Sequence, residues 1–262
     1  MSTATDPGTN RIKLSIRDSW DRGAPSYDDQ YGHGIKSTEE RTAWKLLLRR
    51  LLPPETPLRV LDVGTGTGAL AILLAEIGHT VTGIDISKNM LRVAQAKATH
   101  LGLTVDFCVA DADVLPFPDA CFDAVISRHV LWTLFEPERS VREWARVTRP
   151  GGRIIAIDGV WQSDHPLDRV AMLLGTLLGN LHALVRRRRK RQEHRYPDEA
   201  RGQLPLWHVH SADPACNVFA RAGLSGILSE DLTWLDKIER HAMPLVERLK
   251  HRYRRYLVEA KR

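Results

Sequence analysis

Three cysteines in 262 residues exclude several kinds of protein. Cys108, Cys121 and Cys216 match neither the paired spacing of metal ligands nor a dense disulfide framework, so a reducing, cytoplasmic setting is expected, and no metal. Apolar runs are short. The longest, Val170 to Val185, contains Gly175, Gly179, Asn180 and His182 between flanking arginines and falls short of a membrane span. The N-terminal segment Met1 to Asn10 has neither the apolar core of a signal peptide nor the arginine-rich face of a transit peptide. Internal repeats are absent as well. What remains, at 43% hydrophobic and 27% charged residues, is an ordinary globular chain long enough for one full core.

The formal charge is +6, but it is not spread evenly. One excess is the run RRRRKR at 186–191, and the other lies in the last segment, which includes HRYRRY at 251–256. The stretch before residue 186 is slightly acidic. Where the cations sit therefore says more about partners than their sum does.

Strand and helix patterns alternate through most of the chain. Glu39 to Leu52 reads as an amphipathic helix stopped by Pro53 and Pro54. Strands follow at 58–63, 80–84, 105–109, 122–127 and 153–158, with helices at 67–77, 87–101 and 137–148 and Ser87 as an N-cap residue. Strands that are apolar throughout predict a parallel sheet covered on both faces. The rhythm breaks after Asp158 and resumes with a helix at 212–222, the segment 224–235 and a last strand at 255–261, expected to close the sheet edge in antiparallel pairing. The chain thus divides into an N-terminal helical cap, 1–52, and an α/β domain, 53–262, with a helical insertion at about 159–210. Within the insertion Val170, Leu173, Leu174, Leu177, Leu178, Leu181, Leu184 and Val185 recur at helical spacing.

The most informative segment is VLDVGTGTG at 60–68, where a strand ends at Asp62 and Gly64, Gly66 and Gly68 occupy alternate positions before a helix. Glycines let the backbone turn sharply and approach a ligand closely. A dinucleotide site would space its glycines as G-x-G-x-x-G, whereas here the third comes one residue early. Two further acids, Asp85 and Asp111, end the next two strands.

This set resembles the class I S-adenosylmethionine-dependent methyltransferases. The resemblance rests on LDVGTGTG (61–68), GIDIS (83–87), ADADVLPF (110–117), FDAVISRHVLWTL (122–134) and VTRPGGRIIAID (147–158), in that order. It implies a Rossmann-like, seven-stranded, mostly parallel sheet with helices on both faces, an N-terminal helical cap and a helical lid after the fifth strand. It implies S-adenosylmethionine as cofactor and S-adenosylhomocysteine as product. Gly64, Thr65 and Gly66 would pass under the methionine part, with Asp62 holding the turn and the amino group. Asp85 would take the ribose, Ile86 and Met90 would pack on the adenine, and Asp111 and the Ala112 N–H would meet its edge. Tyr27, within W-D-x-x-A-x-x-Y-D at 20–28, is matched to the cofactor carboxylate, and Arg128 after the fourth strand is placed either to pair with that carboxylate or to present its backbone carbonyl to the amino group.

Methyl transfer is an in-line displacement in which alignment is the main contribution. A general base is required only if the acceptor must lose a proton, and His129 is the first candidate, His33 the second. Trp132, Trp161 and Trp207 are candidate walls for the acceptor, expected to be a small molecule methylated at N, O or C. The chain lacks an N-P-P-Y motif after the fourth strand and a catalytic Pro-Cys pair, which speaks against RNA or DNA despite the basic runs. Two other readings stand beside these: peripheral membrane contact through 170–191 with a lipid or quinone acceptor, and a protein that binds the cofactor without catalysis.

Overall fold

The computed structural model describes residues 7–53, 55–161, 170–178 and 201–262. Seven strands form one sheet: β1 (Arg59–Val63), β2 (Thr80–Asp85), β3 (Asp106–Val109), β4 (Phe122–Arg128), β5 (Thr148–Val160), β6 (Ser225–Asp231) and β7 (Arg254–Lys261). Their order is β3-β2-β1-β4-β5-β7-β6. The first five are parallel, and β7 runs antiparallel to both β5 and β6. This is the Rossmann-like arrangement expected, with one correction. The last strand does not close the sheet edge but inserts between β5 and β6. Tyr256, Leu257, Val258 and Ala260 are buried and need cover on both faces, whereas β6 is largely exposed and takes the edge.

Alternation along the strands builds two cores, one per face. Leu61, Val125, Ile154, Ala156 and Val258 join Val141, Trp144, Val218 and Phe219 from α5 (Pro137–Val147) and α6 (Asp213–Arg221). Val60, Ala124, Ile126, Ile155 and Leu257 face the other way. There they meet Trp44, Leu47 and Leu48 of α2 (Thr38–Leu51), α3 (Ala69–Ile77) and Leu235 of α7 (Thr233–Ala242). Helix α4 (Lys88–His100) starts at Ser87, whose hydroxyl accepts from the Met90 N–H as the sequence predicts.

The N-terminal segment begins with α1 (Pro7–Gly23) and a 3-10 turn (Ala24–Asp29) and lies across the C-terminal ends of the strands. Asp21 fixes it to α4 by accepting from Ser87 Oγ at 2.6 Å and Asn89 N at 3.0 Å. A small third cluster joins Ile12, Ile16 and Trp20 of α1 to Trp132, Leu204 and Trp207. The insertion is described in part: 170–178 is helical, while 181–185 and the run 186–191 lie outside the described residues.

The C-terminal basic segment turns inward. Arg255 is fully buried and pairs with Asp236 at 2.7 Å and Glu239 at 2.6 Å, and Tyr253 donates to Glu239 at 3.0 Å. Glu239 also accepts from the backbone N–H of Gly32, which ties the cap to β7 and α7. An Arg255→Met variant would strand two buried carboxylates, a loss of about 3 to 5 kcal/mol. Urea unfolding of the two proteins checks this, and a difference below about 1 kcal/mol, the range of exposed pairs, would refute it.

Candidate active site

The loop after β1 is shaped by glycine and closed from below by Asp62. Gly64, Gly66 and Gly68 all have positive φ, and a Cβ at Gly64 would overlap Val130 Cγ2. The Asp62 carboxylate accepts from Thr65 Oγ1 at 2.6 Å and Ala71 N at 3.1 Å. Burial pushes its pKa up to about 7 in spite of these donors. Asp62 and Thr65 thus stand behind the cavity wall and act on the turn. Asp85, at the end of β2, accepts from Gly66 N at 2.9 Å and Ser87 N at 2.8 Å, and burial raises its pKa to about 6. Unlike Asp62 it lines the cavity.

That cavity, about 340 Å³, lies over the C-terminal ends of β1, β2, β3 and β4. At one end Ile84, Ile86, Met90, Ala110 and Ala112 form an apolar slot, with Asp111 at its edge. Lys13, reaching down from α1, pairs with Asp111 at 2.9 Å and with Asp113. The sequence reading missed Lys13 because its partners lie about a hundred positions away. Only its place on α1 beside Ile12, Ile16 and Trp20 hints at an inward face. Tyr27 stacks on His33 with ring centroids 4.3 Å apart, meets Trp20 edge-on and covers the glycine turn. Burial raises the Tyr27 hydroxyl to about 12, so it stays a neutral donor.

Arg128 and His129 follow β4 into the centre of the cavity. Arg128 Nη2 donates to the carbonyls of Gly32 and His33, each at 2.7 Å, and the guanidinium lies 4.9 Å from the Trp44 ring centroid. Its Nη1 is buried without a hydrogen-bond partner. His129 has φ 61°, a left-handed conformation unusual outside glycine, and its backbone N–H donates to Ile157 O at 2.9 Å. Burial, then the charges of Arg128 and Arg255, hold the imidazole well below its usual pKa. It is therefore neutral at ordinary pH, and its Nε2 is buried with no hydrogen-bond partner. Trp161 meets the His129 ring edge-on at 4.8 Å, and Trp132 lies 5.9 Å from Trp161 and 5.0 Å from Trp207. The three indoles foreseen as walls thus sit together around the imidazole, joined by Phe135 and Leu134.

Beneath this end lies Asp158, fully buried in β5, which sequence reasoning passed over although RIIAID carries the same signal as LDV and GID. It accepts from Trp132 N at 3.1 Å and Gly159 N at 2.9 Å and so holds the turn that presents Trp132. Burial raises its pKa to about 8. Among the described residues no group of three His, Cys, Asp or Glu side chains is arranged for a metal ion.

The groups present fit S-adenosylmethionine. Asp85 could take a diol, Asp111 and the Ala112 backbone could meet an adenine in the apolar slot, and the orphaned Nη1 of Arg128 could take a carboxylate.

Comparison with known proteins agrees with this geometry. A family model described as "Methyltransferase domain" matches residues 61–156. A demethylmenaquinone methyltransferase of Thermus thermophilus is 40% identical over 117 residues, which cover 44% of this chain and 53% of that protein. A phosphatidylethanolamine N-methyltransferase of Cereibacter sphaeroides is 37% identical over 150 residues, 56% of this chain and 70% of the relative. Among solved structures, phosphoethanolamine N-methyltransferase 2 of Haemonchus contortus in complex with S-adenosyl-L-methionine superposes with a TM-score of 0.65. It is 20% identical, with 94% of this chain and 60% of that chain covered, and so speaks to the fold alone. The chain spans about half the length of the first of these relatives.

Asp158 makes stability depend on pH. Because its folded pKa exceeds the unfolded carboxylate value, the stabilisation is complete in acid and is lost as pH rises towards about 8. Asp158→Asn removes this titration. Between about pH 5 and 7 the fall of unfolding free energy with pH should flatten by about 1.4 kcal/mol per pH unit. Denaturant unfolding at several pH values checks this, and an unchanged slope would assign the titration elsewhere.

Proposed function

The chain belongs to the class I S-adenosylmethionine-dependent methyltransferases, and from that premise we propose that it methylates an apolar small molecule bearing a weakly acidic ring, such as a hydroxylated aromatic. The observation that carries this reading is the buried imidazole of His129, neutral and with Nε2 unpartnered, set among three indoles. S-adenosylmethionine, when bound, supplies an activated methyl group and leaves as S-adenosylhomocysteine.

The residues of this chain then divide the remaining work. Asp85 holds the ribose of the cofactor, Ile86 and Met90 its adenine, with Asp111 and Ala112 at the adenine edge. Gly64 and Gly66 give the close approach, backed by Thr65 and Asp62. Arg128 Nη1, with Tyr27 nearby, takes the carboxylate. Trp132, Trp161 and Trp207 clamp the ring of the acceptor and exclude water, which supplies the alignment that such a displacement requires. His129 accepts the proton that the ring loses, and its left-handed backbone fixes the imidazole in that place. His33, stacked on Tyr27 at 4.3 Å, belongs to the roof over the cofactor and comes second as a base.

Two relatives, one named for a quinone precursor and one for a phospholipid, offer two acceptor types. The ring is favoured over the amine. Among the described residues the carboxylates lining the cavity, Asp85 and Asp111, sit at the cofactor end, and the indole end is lined by apolar and aromatic side chains. An apolar acceptor also calls for the membrane contact foreseen through 170–191. A nucleic-acid substrate gains no support, because Arg255 and Tyr256 of the basic HRYRRY run are buried.

Calorimetric titration with S-adenosylmethionine tests the cofactor assignment: Asp85→Ala should weaken binding about a hundredfold, the value of two charge-assisted hydrogen bonds. Unaltered affinity would sink it. His129→Ala should keep that affinity and lower the turnover of a demethylated naphthoquinol by about 10² or more. Wild-type turnover in this variant would remove His129 from the chemistry.

A further inference from the structure

The helix at 170–178 turns its apolar stripe outward. Val170, Leu173, Leu174, Leu177 and Leu178, at i, i+3, i+4, i+7 and i+8, are between 45% and 67% exposed. The opposite side is inward: Gly175 is buried, and a Cβ there would lie 2.9 Å from Leu249 Cβ and 3.1 Å from Lys250 Cγ. The missing side chain is what lets this helix lie on α8 (Leu245–Lys250), so the glycine fixes which face looks out. A buried lid helix would show the reverse arrangement. Leu245 of α8 adds a further leucine, 69% exposed. Single exposed leucines are ordinary, but a stripe over two helical turns is not.

The charge around this stripe is positive. Alpha-helix α8 carries exposed Arg248 and half-buried Lys250, and β7 opens with exposed Arg254. Glu247 pairs with Lys250 at 3.2 Å, which cancels both charges and leaves Arg248 and Arg254 as the excess. In the sequence, the chain leaving this helix runs on to RRRRKR at 186–191, outside the described residues. Leucines flanked by cations match an anionic bilayer, whose headgroups meet the cations while the acyl boundary takes the leucines.

This surface is also joined to the catalytic cavity. Trp161, a wall of that cavity, packs 5.3 Å from Tyr253, the residue directly before Arg254. No helix among the described residues is long and apolar enough to cross a membrane, so the contact is one of lying on the surface.

We propose that Val170, Leu173, Leu174, Leu177, Leu178 and Leu245 form a docking face for anionic phospholipid membrane, on the side of the protein where Tyr253 meets the cavity wall at Trp161. Its purpose, though not its evidence, rests on the apolar-acceptor reading above.

The test is co-sedimentation of the full chain with phosphatidylcholine vesicles, with and without about one third phosphatidylglycerol. Wild type should pellet with the anionic vesicles and much less with the neutral ones. The double variant Leu173→Asp, Leu177→Asp should bind at least about tenfold more weakly. A second variant, Arg248→Glu with Arg254→Glu, tests the charge without touching the leucines and should lose binding to a similar degree. S-adenosylmethionine titration of each variant shows that it is folded and keeps this result separate from the fate of the methyl-transfer reading. Absence of wild-type binding to anionic vesicles would overturn the proposal, as would wild-type binding by both variants. Light scattering that shows a dimer dispersed by the leucine variant, with no vesicle binding, would overturn it in favour of a contact between copies of the chain.

Discussion

A buried guanidinium keeps the roof on the site. Arg128 leaves β4 where the cavity opens and spends one nitrogen on two carbonyls of the cap, those of Gly32 and His33. The same stretch is gripped from the other side, because Glu239 accepts from the Gly32 N–H while pairing with Arg255. Together with the bond from Thr67 Oγ1 to Asp28 at 2.6 Å and the anchoring of Asp21 on α4, this double hold places the 3-10 turn bearing Tyr27 above the glycine loop and roofs the cavity. Burying two guanidiniums is costly. Here the cost is met by two carbonyls, two carboxylates and the ring of Trp44, which lies 4.9 Å from Arg128 and 5.9 Å from Arg255.

The electrostatic consequence reaches the chemistry. Two fixed positive charges beside a buried imidazole disfavour its protonation, so His129 is available as a neutral ring across the ordinary pH range. A neutral imidazole can accept a proton as the methyl group arrives, although its low pKa makes it a weak base and leaves alignment the larger share of the work. Fold closure and the state of the base are therefore linked: burial under the roof is the larger cause of the depressed pKa, and the Arg128 that pins the cap adds to it.

What the sequence discloses and what it hides follow from the range of the interactions. Asp62, Asp85, Asp111 and the glycines are legible because their roles are local: each sits at a strand end, and its constraints lie within a few residues. Arg128 and His129 are found by the same logic, as the first residues past a strand. The roof is not local. Lys13 meets Asp111 across 98 positions, and Gly32 meets Glu239 across 207. No pattern in either segment announces the other. Asp158 was within reach, since it ends RIIAID as the other acids end theirs. Its burial under Trp132, however, depends on how the 3-10 turn at Leu131–Thr133 folds back. Strand order escaped for a similar reason: apolar content marks β7 as a strand, but only comparison with exposed β6 decides which of them takes the edge.

Periodicity has a further limit, and it bears on the basic pI. The leucines from 170 to 178 announce a helix with an apolar side, but not which way that side turns; a single buried glycine decides it. Cations are ambiguous in the same way. Arg255 stands in a run that looks like a phosphate-binding tail, yet it is spent on Asp236 and Glu239 inside the protein. Arg146 likewise goes to Glu143, Asp119 and the carbonyls of Leu115 and Phe117. Once these cations paired with buried or neighbouring acids are set aside, the positive charge left on the surface includes Arg254 and Arg248, the latter held by the carbonyls of His241 and Met243 on the helix against which Gly175 packs. Charge and apolar surface, each uninformative as a total, then share one location, and a bilayer accommodates both together more readily than a nucleic acid does.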